Sequence, residues 1–388
     1  MSEVVSQPEP RAKPIGVWVS APAATRLVFF ISGFLIAAWA PLIPFIKNRF
    51  HLSDAQLGLL LLCIGVGSIG AMPLTGGLTA RFGCRRAIVA VGTIACIMLP
   101  LAAAITRLEL LIPALFVFGA VLGMLDVAMN IHAVMVERAL DRAMMSGFHG
   151  LWSIGGIAGA GTLSALVSIG STPLVASIVV AVISMILLAV SARAFYPRGS
   201  ERGGPAFALP HGGVVVLGCC CFVLFLAEGS VLEWSAVFLN KERGMQIAHA
   251  GIGFIGFSVA MTAGRLTGDR IVRALGSRRI VLLGGLVAAA GFGLVVAVPS
   301  AAASIGGFVL IGVGASNMVP VMFSAAGRQE SMPAHLALPA MTTLGYLGGL
   351  AGPPLIGLIA QWLGLPVALG LIGAMMGVIA VASVRMRL

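Results

Sequence analysis

Leu57-Gly-Leu-Leu-Leu-Leu-Cys-Ile-Gly-Val-Gly-Ser-Ile-Gly-Ala-Met72 decides the fold class. The run carries no charge, and the surrounding segment 54–79 exceeds the roughly 20 residues that take a helix across a bilayer. Directly after it stands Gly76-Gly-Leu-Thr-Ala80-Arg81-Phe-Gly83-Cys-Arg85-Arg86, a short loop crowded with arginine. Val281 to Val298 is a second long apolar run, and it follows another arginine cluster at Arg270, Arg273, Arg278 and Arg279. Barrel strands of an outer membrane would be short and alternating, so these runs are read as membrane-spanning helices.

Composition agrees. Of 388 residues, 59% are hydrophobic and only 10% charged, where a soluble domain carries about 25% charged residues. The net charge of +11 would suggest nucleic acid in a soluble chain. Here the basic residues lie in short loops between apolar runs, and no basic face with interleaved aromatics exists to bind nucleic acid. Cys63, Cys84, Cys96, Cys219, Cys220 and Cys221 show no metal-ligand spacing and are read as small packing residues. Residues 1–25 are polar and contain proline. They are expected to form a cytoplasmic tail with no cleavable signal, so the first span is expected to direct insertion.

About twelve spans are expected. The first six are 26–46, 54–79, 87–106, 109–136, 144–169 and 172–195; the second six are 212–239, 247–269, 279–298, 300–326, 336–363 and 365–384. Loops after odd-numbered spans hold only Lys47, Arg49, Arg107, Lys241 and Arg243. All other Lys and Arg, with Arg265 counted among them, fall on the opposite side, so both termini are expected in the cytoplasm. The polar stretch 196–211 is the natural linker between an N-terminal half, 26–195, and a C-terminal half, 212–388. The halves resemble each other. Gly83-Cys-Arg85-Arg86 recurs as Gly276-Ser-Arg278-Arg279, Gly123-Met-Leu-Asp126 aligns with Gly314-Ala-Ser-Asn317, and Ser153-Ile-Gly155-Gly156 aligns with Tyr346-Leu-Gly348-Gly349. Parallel repeats of six spans around a mid-membrane site form the major facilitator arrangement.

The loop Gly76 to Arg86 resembles the signature between spans 2 and 3 of the major facilitator superfamily. An acidic residue normally stands there at the place of Ala80; the second copy, Gly264 to Arg279, keeps an acid, Asp269, beside Arg270. The resemblance implies a cytoplasmic latch built from Gly76, Arg81, Gly83, Arg85, Arg86, Gly264, Asp269 and Arg270. In such a latch an acid at a helix end pairs with an arginine or a helix N-terminus of the other half. The alternative is that these arginines only anchor topology. Asp126-Val-Ala-Met-Asn130 is similar to the Glu-Thr-Ala-Ala-Asn segment of fucose-permease-like transporters. Val136-Glu137-Arg138, Phe148-His149-Gly150, Ala227-Glu228-Gly229-Ser230, Glu233-Trp234, Thr342-Thr-Leu-Gly-Tyr346-Leu and Gly352-Pro-Pro-Leu-Ile-Gly357 resemble a bacterial inner-membrane group of that branch. The acid matching Asp126 couples protons in fucose permease. That permease has a further acid on span 1, which Phe34 to Pro41 lacks here.

Ionisable residues deep in a span are costly and therefore functional candidates. Asp126 on span 4 and Glu228 on span 7 come from opposite halves. They are the expected proton-coupling pair, since removal from water favours the protonated carboxyl. Expected substrate contacts are Trp39, Asn130, His149, Trp152, Glu233, Trp234, Asn317, Thr342 and Tyr346. Each has a plainer alternative: Trp as interfacial anchor, Asn as a bond between helices, carboxyl or imidazole as a satisfied structural group. No Walker motif, dinucleotide fingerprint or metal cluster is present, and no enzyme chemistry or cofactor is expected. The expected function is secondary transport of a small polar or amphipathic solute, sugar-like solutes included, with protons, by a monomer in lipid. Proton-driven efflux of drugs or metabolites and a non-transporting sensor are the alternatives.

Overall fold

The computed structural model describes residues 20–52, 54–197 and 209–386. The first residues of the expected tail, most of the linker, and Arg11, Lys13, Arg198, Arg202 and Arg387 lie outside the described residues. Twelve helical rods run in chain order. α1 is Ala21–Arg49, α2 Gln56–Phe82, α3 Cys84–Ala104, α4 Leu108–Leu140, α5 Met145–Ser168 and α6 Pro173–Ala192. α7 is Gly213–Lys241, α8 Ile252–Leu275, α9 Ser277–Ala297, α10 Ala301–Gly327, α11 Ala334–Leu363 and α12 Leu365–Ser383. Ten of them are long and apolar enough to cross a membrane. α11 joins them as a span bent by 41° between Gly352 and Pro354. α8 is the most polar rod, because Arg265, Asp269, Arg270 and Arg273 sit on it.

The outside of the bundle is apolar. Trp362 is 78% exposed and Val381 69%, which water would oppose and lipid tails accept. Local breaks follow the chemistry of proline. α1 tightens to a 3-10 turn at Ala40–Leu42, which contains Pro41, and α2 does so at Met72–Leu74, which contains Pro73. α10 breaks at Ser316 and Asn317, four residues ahead of Pro320, whose missing N–H leaves the Ser316 carbonyl without its helical donor.

Packing carries the repeat in atomic detail. α1 packs on α5 as α7 packs on α11, and α2 on α4 as α8 on α10. Gly155 lies directly against the Phe30 carbonyl, and Gly348 against the Phe222 carbonyl. Gly119 lies against the Ile64 carbonyl, and Gly312 against that of Phe257. Glycine allows helix backbones to meet this closely in lipid. The far end, opposite the chain termini, repeats as well. Arg49 Nη1 donates to the Ala103 carbonyl (2.6 Å) and the Ile105 carbonyl (2.9 Å), capping the end of α3. Arg243 Nη2 donates to the Val295 carbonyl (2.7 Å) at the end of α9. A cation there completes orphan carbonyls and suits the helix dipole. Two of the few basic residues on that side are thus helix caps.

The α2–α3 and α8–α9 reversals use the same backbone. Gly83 has φ 86° and ψ 151°, and Gly276 has φ 80° and ψ 153°, a region open essentially to glycine alone. Gly276→Ala is expected to cost about 2 kcal/mol, read as a lower thermal midpoint of the purified protein. An unchanged midpoint would contradict the strained conformation.

Two sequence expectations are corrected here. Arg265, counted with the charges of the cytoplasmic side, is 4% exposed and buried inside the bundle, because a polar pocket awaits it. Asn317 is not the packing counterpart of Asp126. The Gly119–Ile64 and Gly312–Phe257 contacts place the two halves 193 residues apart, which sets Val319 opposite Asp126.

Candidate functional site

A cavity of about 460 Å³ lies between the halves. Asp126 and Met129 of α4 and His149 and Trp152 of α5 line one side. Phe225, Glu228 and Glu233 of α7, Arg265 of α8, Val319 and Phe323 of α10 and Tyr346 of α11 line the other. Six of the residues expected from sequence, Asp126, Glu228, His149, Trp152, Glu233 and Tyr346, therefore meet in one place.

Arg265 is the site residue that sequence reading misplaced. Its Nη2 lies 3.2 Å from Glu228 Oε1 in an ion pair. Its Nη1 donates to Ser153 Oγ across the halves (3.1 Å), and its Nε donates to the Ser316 carbonyl (3.3 Å). The break in α10 explains the last bond. Pro320 cannot donate to Ser316, so the guanidinium does. Gly264 and Gly268 let α8 approach the break, since a side chain on either would meet Ser316 or Asn317. The Ser316-x-x-x-Pro320 spacing, opposite a span holding an arginine, is the signal that could have found this site.

Asp126 interacts across the halves with the Tyr346 hydroxyl. His149 is 9% exposed and shares a 3.0 Å hydrogen bond between Nδ1 and the Met145 carbonyl. Its ring sits between Phe29 and Phe323, with centroids 5.1 and 5.4 Å away.

The other expected contacts turn away from the cavity. Trp39 packs on Phe118 with ring centroids 6.2 Å apart. Trp234 packs on Gly357 of α11. Asn130 Nδ2 donates to the Asp126 carbonyl (2.8 Å), Thr342 Oγ1 to the Leu338 carbonyl (2.7 Å), and Asn317 Nδ2 to the Gly264 carbonyl (3.0 Å). His132 accepts at Nε2 from the Tyr196 amide (2.9 Å) and joins Thr25 through Nδ1 (3.0 Å), tying α1, α4 and the end of α6 together.

At the termini end the halves touch through the latch candidates. Asp269 Oδ1 accepts from the Gly147 amide at the start of α5 (3.0 Å). Glu137 of α4 joins it there. It accepts from the amides of Met144 (2.7 Å) and Met145 (2.9 Å), and from Ser324 Oγ of the other half (2.6 Å). Arg273 Nη1 donates to the Ala143 carbonyl (3.3 Å). Gly76 lies directly under the His335 carbonyl, Arg85 donates its amide to the Tyr196 carbonyl (3.2 Å), and Arg81 lies over the Phe82 ring at 5.2 Å. Arg81, Arg86 and Arg270 are exposed.

Two like six-helix units around a cavity that holds charged groups are the build of a membrane carrier. The chain belongs to the Major Facilitator Superfamily, whose family model matches residues 26–337. It is 52% identical over 367 residues to an uncharacterised MFS-type transporter of Yersinia pestis, covering 94% of this chain and 95% of that one. It is 32% identical over 367 residues to the membrane protein MosC of Rhizobium meliloti, covering 93% and 89%. Among solved structures, the MFS transporter FucP in an outward conformation matches with a TM-score of 0.80 at 16% identity, covering 95% of this chain and 98% of that one. The human organic anion transporter MFSD10 matches with a TM-score of 0.73 at 14% identity, covering 94% and 98%. The chain is an integral membrane protein of a transporter family.

Proposed function

We propose that this protein is a proton-coupled secondary transporter, acting as a monomer, that moves a small polar or amphipathic solute across the bacterial inner membrane. Sugar-like solutes are included. The observation that carries this is the pair of carboxylates from opposite halves, Asp126 and Glu228, facing one cavity. Each is held by a group of another helix, Tyr346 and Arg265, so gain or loss of a proton changes how helices are tied together. The arginine bias supports cytoplasmic termini. In that orientation the latch of Asp269, Glu137, Gly76 and their partners closes the cytoplasmic side, and solute enters from the other. The two halves of the proposed carrier are 26–195 and 212–388.

Purified protein in proteoliposomes is expected to accumulate its solute in response to an imposed pH gradient. Asp126→Asn should reduce this to passive exchange. So should the paired Glu228→Gln/Arg265→Gln variant, which keeps the guanidinium from being stranded. Accumulation indifferent to the gradient, or unchanged in both variants, overturns proton coupling. The apolar wall of Leu232, Val319 and Leu350 favours an amphipathic solute and makes proton-driven export the second reading. Greater sensitivity of a deletion strain to amphipathic toxins would select it.

A further inference from the structure

Hydrogen-bonding capacity around the cavity is lopsided. Arg265 directs its donors to Ser316, Ser153 and Glu228. The Tyr346 hydroxyl interacts with Asp126. A carbonyl can only accept, so His149 gives its Nδ1–H to Met145, and a neutral ring then offers Nε2 as an acceptor. Asp126 keeps acceptor capacity beyond its bond to Tyr346. Glu233 lines the same cavity and has no hydrogen bond or ion pair among the described residues. Three carboxyl groups therefore line a cavity whose one guanidinium Glu228 already neutralises. The remaining walls are apolar and include the aromatic rings of Trp152, Phe225 and Tyr346, with the last two edge to face at 5.6 Å.

Each class of solute can be set against that surface. A carboxylate or phosphate would bring further negative charge to a site whose single cation is occupied. A metal ion would need converging ligands, and no group of three or more His, Cys, Asp or Glu is placed to hold one among the described residues. A neutral polyol satisfies acceptors and leaves the charge uncompensated. An ammonium group supplies three donors, no acceptor, and a positive charge that carboxylates and aromatic faces both attract. We infer that the transported solute is a small organic amine bound as its ammonium, with Asp126 and Glu233 as its carboxylate partners and Trp152, Phe225 and Tyr346 around it. This rests on the transport reading above.

The test uses two scaffolds, each in three charge forms: glucosamine, glucose and glucuronate, and phenethylamine, 2-phenylethanol and phenylacetate. Binding to the purified full-length protein is read by thermal stabilisation across a concentration series. Within at least one scaffold the amine is expected to bind at least roughly tenfold more tightly than its neutral and anionic forms. That preference should fall about tenfold in Asp126→Asn and in Glu233→Gln. Lack of preference for the amine in both scaffolds, which includes no binding by any of the six, overturns the inference. Preference unchanged in both variants overturns the assigned partners. Counterflow in proteoliposomes is scored separately. Amines that bind but do not move defeat the transport reading alone, while a neutral or anionic solute that moves in preference defeats the amine assignment alone.

Discussion

Glu228→Gln is expected to lower the stability of the folded protein by about 3 kcal/mol, and Arg265→Gln by a similar amount, while the double variant recovers most of the loss. Removing one partner of a buried ion pair leaves an uncompensated charge, and that is costlier than removing both. Arg265 is the more demanding of the two. Its side chain is 5% exposed against 25% for Glu228, so a lone guanidinium has little water to turn to. The figure stands at the lower edge of the 3–5 kcal/mol range because Glu228 retains some solvent. Thermal midpoints of the three variants in one detergent form a double-mutant cycle. Losses that simply add would mean the two charges do not depend on each other, and the ion pair would then be no more than a contact.

The second large effect concerns no charge at all. Gly119→Ala drives a methyl into the Ile64 carbonyl, and Gly312→Ala drives one into the Phe257 carbonyl. Backbone cannot step aside as a flexible side chain can, so whole helices must part. Overpacking of this kind costs about 1–3 kcal/mol and sometimes more, and the two variants should suffer alike because they occupy equivalent places. Gly161 and Gly293 supply the contrast. They lie within α5 and α9, and nothing stands within 4 Å of an added methyl. Alanine there should be neutral or stabilising by up to about 1 kcal/mol through helix propensity. Thermal midpoints of the four variants decide it. Equal behaviour in all four would mean the glycine contacts do not set helix spacing.

Much of this molecule was legible in its sequence, and what was not has a physical cause. Apolar runs near bilayer length gave the spans, and Gly83 with Gly276 gave the repeat, because a φ near +80° leaves few alternatives to glycine. Asp126, Glu228, Glu233, His149, Trp152 and Tyr346 were found because polar groups at mid-depth are rare. Facing was harder. A helix that is apolar on every side has no polar stripe to orient it, so Trp39, Asn130, Trp234, Asn317 and Thr342 could not be told from cavity residues. Arg265 lies five residues from Arg270 in a basic stretch, and spacing along the chain does not say which arginine turns inward. Glu137 was hidden for a similar reason: its partners, Met144 and Met145, contribute only backbone amides, which no side-chain pattern announces.

The start of α5 holds a consequence for the energetics of closure. Glu137 belongs to the same half as the amides it binds, so it stays with them when the halves part. Asp269 and Ser324 belong to the other half and depart. Closing therefore brings a second carboxylate to a helix terminus that already has one, and both line the same small recess. Attraction to the amides is blunted by repulsion between like charges. In the transport cycle proposed above, that repulsion makes the closed arrangement self-limiting: held by the amides, yet weak enough to be left.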